Sequence, residues 1–315
     1  MDWIDEFIEL FMSQKTGSVE KALLYKQQYI PQKLYRYRSA EKIERLKDEI
    51  VNGRIFMSSP LNMNDPFDSC SLLENNKPTV YVHDKEIYKE RFKEILDKNT
   101  FNKIFKDDNW FEKLTESVAS KYVSLEEIDE AKEKALKTLM QGIENINSEI
   151  NETINRTYRF ACFTQSKTNL PMWNHYANGH KGVCLEYDTT EINNIININV
   201  LFPVKYVDKL PDGISLMKAQ DELRMEYFLM HKLRDWSYEN EWRLIYNIGF
   251  WYKDPSEVSY EILKKGASIY FALPSKVYLG AKISDFDEEQ IRKWCSEHRI
   301  PVQKMKCTEY GLKAT

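Results

Sequence analysis

The chain is expected to fold as α+β, with a mixed, mostly antiparallel sheet core and a helical insertion. Three observations carry this. Short strand-like runs recur from residue 34 to the C-terminus. Helical stretches lie among them irregularly, without the strict alternation of a doubly wound sheet. Residues 84–155 differ in texture, being rich in Lys, Glu, Asn and Ile and poor in Gly and Pro. The expected organisation is an N-terminal helical segment over 1–33, a core domain over 34–83 and 156–315, and a helical insertion over 84–155.

Taken in order, residues 2–29 read as helical, with Trp3, Ile4, Phe7, Ile8 and Phe11 on one face. Leu34 to Arg38 reads as a strand. Ser39 can cap the next helix, whose stripe is Ile43, Leu46 and Ile50. Asn52-Gly53 stops that helix, because glycine reaches the left-handed conformation cheaply. Arg54 to Ser58 is a short strand, and Pro60 with Asn64-Asp65-Pro66 forces a loop. In the insertion, Ser124 to Glu127, "SLEE", is a capping box ahead of a helical run.

From Tyr158 the strands return. "YRFACF" alternates, and Pro171 and Gly179 bracket a helix. Val183 to Asp188 and "PVKYV" near residue 205 are strands. Residues 215–234 read as a helix, Tyr238 to Tyr246 as a strand, and "SIYFALPSKVYLG" as one or two more. "SDFDEEQIRKWCSEH" is a capped helix and "PVQKMKC" a closing strand.

Composition narrows the function classes. The formal charge is −4 and the basic residues are dispersed, so overall electrostatics do not point to nucleic acid or an anionic membrane. Five cysteines at wide spacing, with no CxxC, fit free thiols in a reducing cytoplasm. The acidic N-terminus lacks the pattern of a signal peptide, and no apolar run is long enough to span a membrane.

Three polar clusters exceed what a core needs. The first is Arg36 with Tyr35, Tyr37 and Arg38. The second is Ser58-Ser59 with the loop residues Asn62, Asn64, Asp65 and Asp68. The third is Glu239, Glu241 and Arg243, which one strand would point to a common face. Carboxylates and a guanidinium on one face are costly to bury unless paired or functional; the plainer alternative is a salt bridge on a solvated sheet. Trp173 and Tyr176 lie three apart on the expected helix and could stack on a flat ring. His175 and His180 are not a metal pair, since five residues is not helical zinc spacing and no third ligand stands out. Cys162 and Cys184 sit in apolar strands and read as buried structural thiols. Asp65 and Asp68 could bind a metal in a nuclease-like site, although Asn64-Asp65-Pro66 is more simply a turn.

The segments "LYRYRS", "FMSSPLNMNDPFD", "FACFTQSKTNLPMWNHYANGHKGVCLEYD" and "WSYENEWRLIY" together resemble a bacterial and phage-associated family known only as a domain of unknown function. Its hallmarks are the NDPF loop, MWxxYAxxHxG and ExEWR, and the resemblance runs from about residue 34 to 280. A second resemblance rests on shorter motifs. "LYRYRSAEKIERLKDEIVNGRIFMSS" is similar to the opening strand–helix–strand of ADP-ribosyltransferase-like domains. It implies that fold, with NAD as substrate, Arg36 on the ribose or phosphate, Ser58 or Ser59 at the second motif, and Glu239 or Glu241 as the key glutamate. Tyr37, Arg38, Asn64, Trp173, Tyr176 and His180 would complete the nucleotide site.

The chemistry is consistent with those residue types. A carboxylate that faces a developing ribosyl cation lowers the barrier to glycosidic cleavage, and a guanidinium fork suits a diphosphate. The expectation is therefore a cytoplasmic NAD-dependent ADP-ribosyltransferase-like enzyme, acting as a bacterial defence or toxin effector on an acceptor the sequence does not disclose. Two alternatives stay open: a non-enzymatic nucleotide- or peptide-binding module, and a metal-dependent nuclease using Asp65.

Overall fold

The computed structural model describes residues 2–71, 85–121, 124, 127–193, 198–213, 224–248 and 265–315. The chain forms two compact units, one of residues 1–70, 154–209 and 225–315, the other of residues 71–153 and 210–224. Among the described residues no helix is long and apolar enough to cross a membrane.

The first unit opens with two helices where one segment was expected, α1 (Trp3–Met12) and α2 (Ser18–Gln27). Gly17 separates them at φ +74°, a conformation an L side chain resists. Strand β1 (Lys33–Arg38), helix α3 (Ile43–Val51) and strand β2 (Arg54–Ser58) follow. Ser39 accepts a hydrogen bond from the Glu41 amide, although the turn it opens, Ala40–Lys42, is 3₁₀ before the α-helix begins. Gly53 ends α3 at φ +62°.

The second unit holds α4 (Lys85–Phe92), α5 (Lys98–Lys106), α6 (Trp110–Ala119) and most of α7 (Ile128–Thr157). Its core is aromatic, with Phe105 and Trp110 buried and Tyr88 edge-on to Trp110. At its capping box, Glu127 accepts from the Ser124 amide at 3.0 Å, while Leu125 and Glu126 lie outside the described residues.

Back in the first unit come β3 (Tyr158–Thr164), α8 (Leu170–Tyr176), β4 (Val183–Asp188), α9 (Thr189–Asn193), β5 (Leu201–Pro203) and β6 (Lys205–Val207). The helix expected over 215–234 shrinks, within the described residues, to α10 (Glu226–Leu229). Its last part is a strand, β7 (His231–Leu233), because Lys205 to Val207 offers a parallel partner; residues 214–223 lie outside the described residues. The strand expected from Tyr238 begins later, as β8 (Glu241–Asn247). Arg234–Glu239 is a 3₁₀ turn and Asn240 is left-handed at φ +42°, so Glu239 is not in the strand. Strands β9 (Gly266–Tyr270) and β10 (Lys276–Leu279), helix α11 (Asp285–Glu297), and strands β11 (Val302–Thr308) and β12 (Gly311–Ala314) complete the chain.

Among the described residues, ten strands make one sheet of mostly antiparallel pairs. Its apolar face packs Leu34, Ile55, Leu185, Trp242 and Val277 against Leu46 and Ile50 of α3 and Ile291 of α11. One feature of the sheet prepares a site. Both β1 and β2 run antiparallel to β3 and meet it at one register position each, Tyr35↔Thr164 and Ser58↔Phe160. Between those points Ala161, Cys162 and Phe163 pair with β8 on the far side. The sheet is thus split along one edge of β3.

Candidate functional site

A cavity of about 460 Å³ opens at this split. Tyr35, Arg36, Tyr37 and Arg38 of β1 line it with Phe56 and Ser58 of β2, residues 160–163 of β3, and Lys232, Glu239 and Glu241. Met172, His175 and Tyr176 of α8 also line it, as do Lys42 and Arg45. The first polar cluster of the sequence, Ser58 of the second, and Glu239 and Glu241 of the third therefore share one space, while Arg243 lies behind them outside the lining.

The β8 wall is an ion cluster. Arg243 is fully buried and donates from Nε to Glu241 Oε1 at 2.7 Å. It also donates from Nη1 and Nη2 to the two oxygens of Asp68, each at 2.7 Å. Lys232, 2 % exposed on its side chain, donates to Glu239 Oε2 at 2.6 Å and Glu241 Oε2 at 3.2 Å, and lies 3.5 Å from Asp68. Burial alone would raise the pKa of Glu241, but Arg243 and Lys232 overcome it and hold the carboxyl far below its ordinary range. Glu239 goes the other way. Burial and the neighbouring Glu241 raise its pKa, with Lys232 and Tyr176 only partly compensating. Tyr176 donates its hydroxyl to Glu239 Oε1 at 2.6 Å and lies 3.4 Å from the Asn64 amide nitrogen.

The β1 wall differs. Arg36 is 4 % exposed and donates Nη2 to the Phe56 carbonyl at 3.0 Å. Its Nε and Nη1 have no hydrogen-bond partner, although Glu49 Oε1 lies 3.5 Å from Nε. Glu49 is taken up by Arg38, whose Nε donates at 2.6 Å, and lies near Tyr187. Burial raises the Glu49 pKa against the pull of Arg38. Arg36 lies over Phe163 at 5.4 Å, and Arg45 over Phe56 at 3.8 Å. Nε has Glu49 as a counter-charge, whereas the buried Nη1 is left without an acceptor, and an unmet donor costs roughly 1–3 kcal/mol. A phosphate or carboxylate can serve as that acceptor.

The other expected residues fall outside the cavity lining. Trp173 is wholly buried, edge-on to Tyr37 at 5.1 Å, with Nε1 donating to the Lys167 carbonyl. His180 stacks on Trp173 at 5.9 Å and has a buried Nδ1 without a partner. Trp173 packs against Tyr37, and His180 packs against Trp173. Ser59 is buried with an unpartnered hydroxyl, and Asn64 is exposed, reaching the site through Tyr176.

Of the two aspartates of the metal alternative, Asp68 is fully engaged, and Asp65 keeps a buried Oδ2 without a hydrogen-bond partner. Both Asp68 oxygens serve Arg243, and Asp65 Oδ1 accepts from the Phe67 amide in a turn. Among the described residues no three His, Cys, Asp or Glu side chains are grouped to hold a metal. The thiols of Cys162 and Cys184 are held protonated by burial.

Two participants were not foreseen. Glu49 left a signal: it falls three residues after Leu46, on the buried stripe of α3. Lys232 left none, because its segment reads as helical. No curated protein and no solved structure matches the chain. Residues 172–244, which hold Tyr176, Lys232, Glu239, Glu241 and Arg243, match the family described as Protein of unknown function (DUF2971).

Proposed function

We propose that the split-sheet cavity takes NAD and that the protein is an ADP-ribosyltransferase-like enzyme. The observation that carries the reading is that Arg36, whose buried Nε and Nη1 have no hydrogen-bond partner, shares one cavity with the carboxylate of Glu239. Arg36 suits the diphosphate. Tyr35, Tyr37, Phe56 and Tyr176 give aromatic surface for flat rings. Of the two glutamates, Glu239 is the better partner for a ribose hydroxyl and the cation formed when the nicotinamide bond breaks. Glu241 is held by two cations, Arg243 on both oxygens and Lys232 on one, whereas Glu239 has only Lys232 and the neutral Tyr176; Glu241 is therefore read as scaffold.

A second reading has its own support. Both oxygens of Glu239 already have donors, Tyr176 and Lys232. A site that binds the nucleotide without turning it over needs no free carboxylate.

Calorimetry with NAD, combined with release of labelled nicotinamide in the presence of candidate acceptors, separates these outcomes. The wild type is expected to bind and cleave. Arg36→Met is expected to weaken binding about tenfold to a hundredfold, the worth of one or two charge-assisted hydrogen bonds. Glu239→Gln should bind but lose cleavage by about a hundredfold or more. Binding without cleavage selects the binding module; no binding at millimolar NAD rejects the site.

A further inference from the structure

Lys232 touches all three carboxylates of the ion cluster, yet no motif marks it. Its ammonium lies within 3.5 Å of Asp68, Glu239 and Glu241. Asp68 and Glu241 are immobilised from the other side by Arg243. Glu239 is not: Lys232 and Tyr176 are its donors, and it sits on a 3₁₀ turn ahead of left-handed Asn240. Lys232 is itself fixed at the centre of β7, which pairs in register with β6 at Tyr206↔Lys232, and its ammonium lies 4.9 Å from the Trp236 ring centroid. The rigid part of the cluster therefore reaches Glu239 through one side chain.

We propose that Lys232 is the positioning residue of the site. It ties Oε2 of Glu239 to the fixed pair Asp68 and Glu241, while Oε1, which accepts from Tyr176, keeps a second lone pair for a ligand hydroxyl. As a role in catalysis this rests on the NAD reading; as a claim about Glu239 it stands without it. An ammonium at 2.6 Å also favours the ionised form of the carboxyl. The charged and titratable groups facing Glu239 are Lys232 from β7, Glu241 from β8, Tyr176 from α8, Tyr206 from β6 and its neighbour Tyr238. Lys232 is the cation among them.

The test is ligand-free. Carbon-13 carboxyl NMR of the full chain, with the Glu239 resonance assigned by Glu239→Gln, follows its titration. Lys232→Met is expected to raise the Glu239 midpoint by about one to three pH units, the usual effect of losing an opposite charge in contact. Lys232→Arg is expected to leave it near the wild-type value. Should Lys232→Met fail to fold, the same comparison is made as Asp68→Asn with and without Lys232→Met, where the paired variant keeps the cluster's net charge. An unmoved midpoint in Lys232→Met, or in the paired variant relative to Asp68→Asn, overturns the proposal. NAD binding by the wild type is measured separately, so its absence rejects the function reading and leaves the Lys232 result intact.

Discussion

Arg243 and Arg36 are both buried, and each lies over a phenylalanine of β3, Phe160 and Phe163 respectively. Arg243 spends its guanidinium on Glu241, Asp68, Ser69 and the Leu229 carbonyl. Arg36 has one hydrogen bond, to Phe56, a longer ion pair from Nε to Glu49 at 3.5 Å, and a buried Nη1 without an acceptor. A buried charge with filled hydrogen bonds holds parts of the chain together. One with open donors has been desolvated without full return, and such an expense is sensible where a ligand completes it.

Substitution of the two arginines should separate them first in stability. Arg243→Met leaves Asp68 and Glu241 with Lys232 alone and should cost about 3–5 kcal/mol in denaturant unfolding, whereas Arg36→Met, which loses one hydrogen bond but also removes an unmet donor, should change stability by less than about 1 kcal/mol. Equal costs would erase the distinction between the two arginines.

Next comes a contrast in pH dependence between the two glutamates. The folded pKa of Glu241 is lowered, so its contribution is full above the ordinary value of 4.5 and drains as pH falls below it. That of Glu239 is raised, so the folded state holds its proton longer, and stability is lost as pH rises above 4.5 toward the folded value. Unfolding measured across pH should show Glu241→Gln removing the acid-side loss and Glu239→Gln removing the opposite slope. The smallest effect is at the surface. Arg234 and Asp208 pair at 2.5 Å but are 60 % and 78 % exposed, and Arg234→Ala should change stability by less than about 0.5 kcal/mol.

Much of this frame was legible in the sequence. Strand, helix and strand over 33–58 follow from local alternation, a Ser cap and Gly53, all short-range signals. The polar residues of β1 and β8 stood out because strands rarely bury such groups without reason. What escaped was set by contacts distant along the chain. Asp68 and Arg243 lie far apart in sequence, and no spacing reveals their pairing. The segment around Lys232 becomes a strand only because residues 205–207 lie alongside. Glu239 left the strand because Asn240 takes a left-handed turn, yet it still reached the cluster that strand alternation had suggested. Trp173 looked like a ligand platform, since three-residue spacing cannot distinguish a side chain facing a cavity from one supporting it.

The split along β3 carries one more implication. Ala161, Cys162 and Phe163 are laddered to β8 on one side, and the strands flanking the gap close on β3 at a single residue at each end. A guest lodged there would meet peptide groups as well as side chains. Peptide groups are the same whatever residue carries them, so part of the recognition would survive substitution along that strand. The gap's width would then depend on how sharply two neighbouring ribbons diverge, a property of the whole scaffold rather than of any residue at the rim.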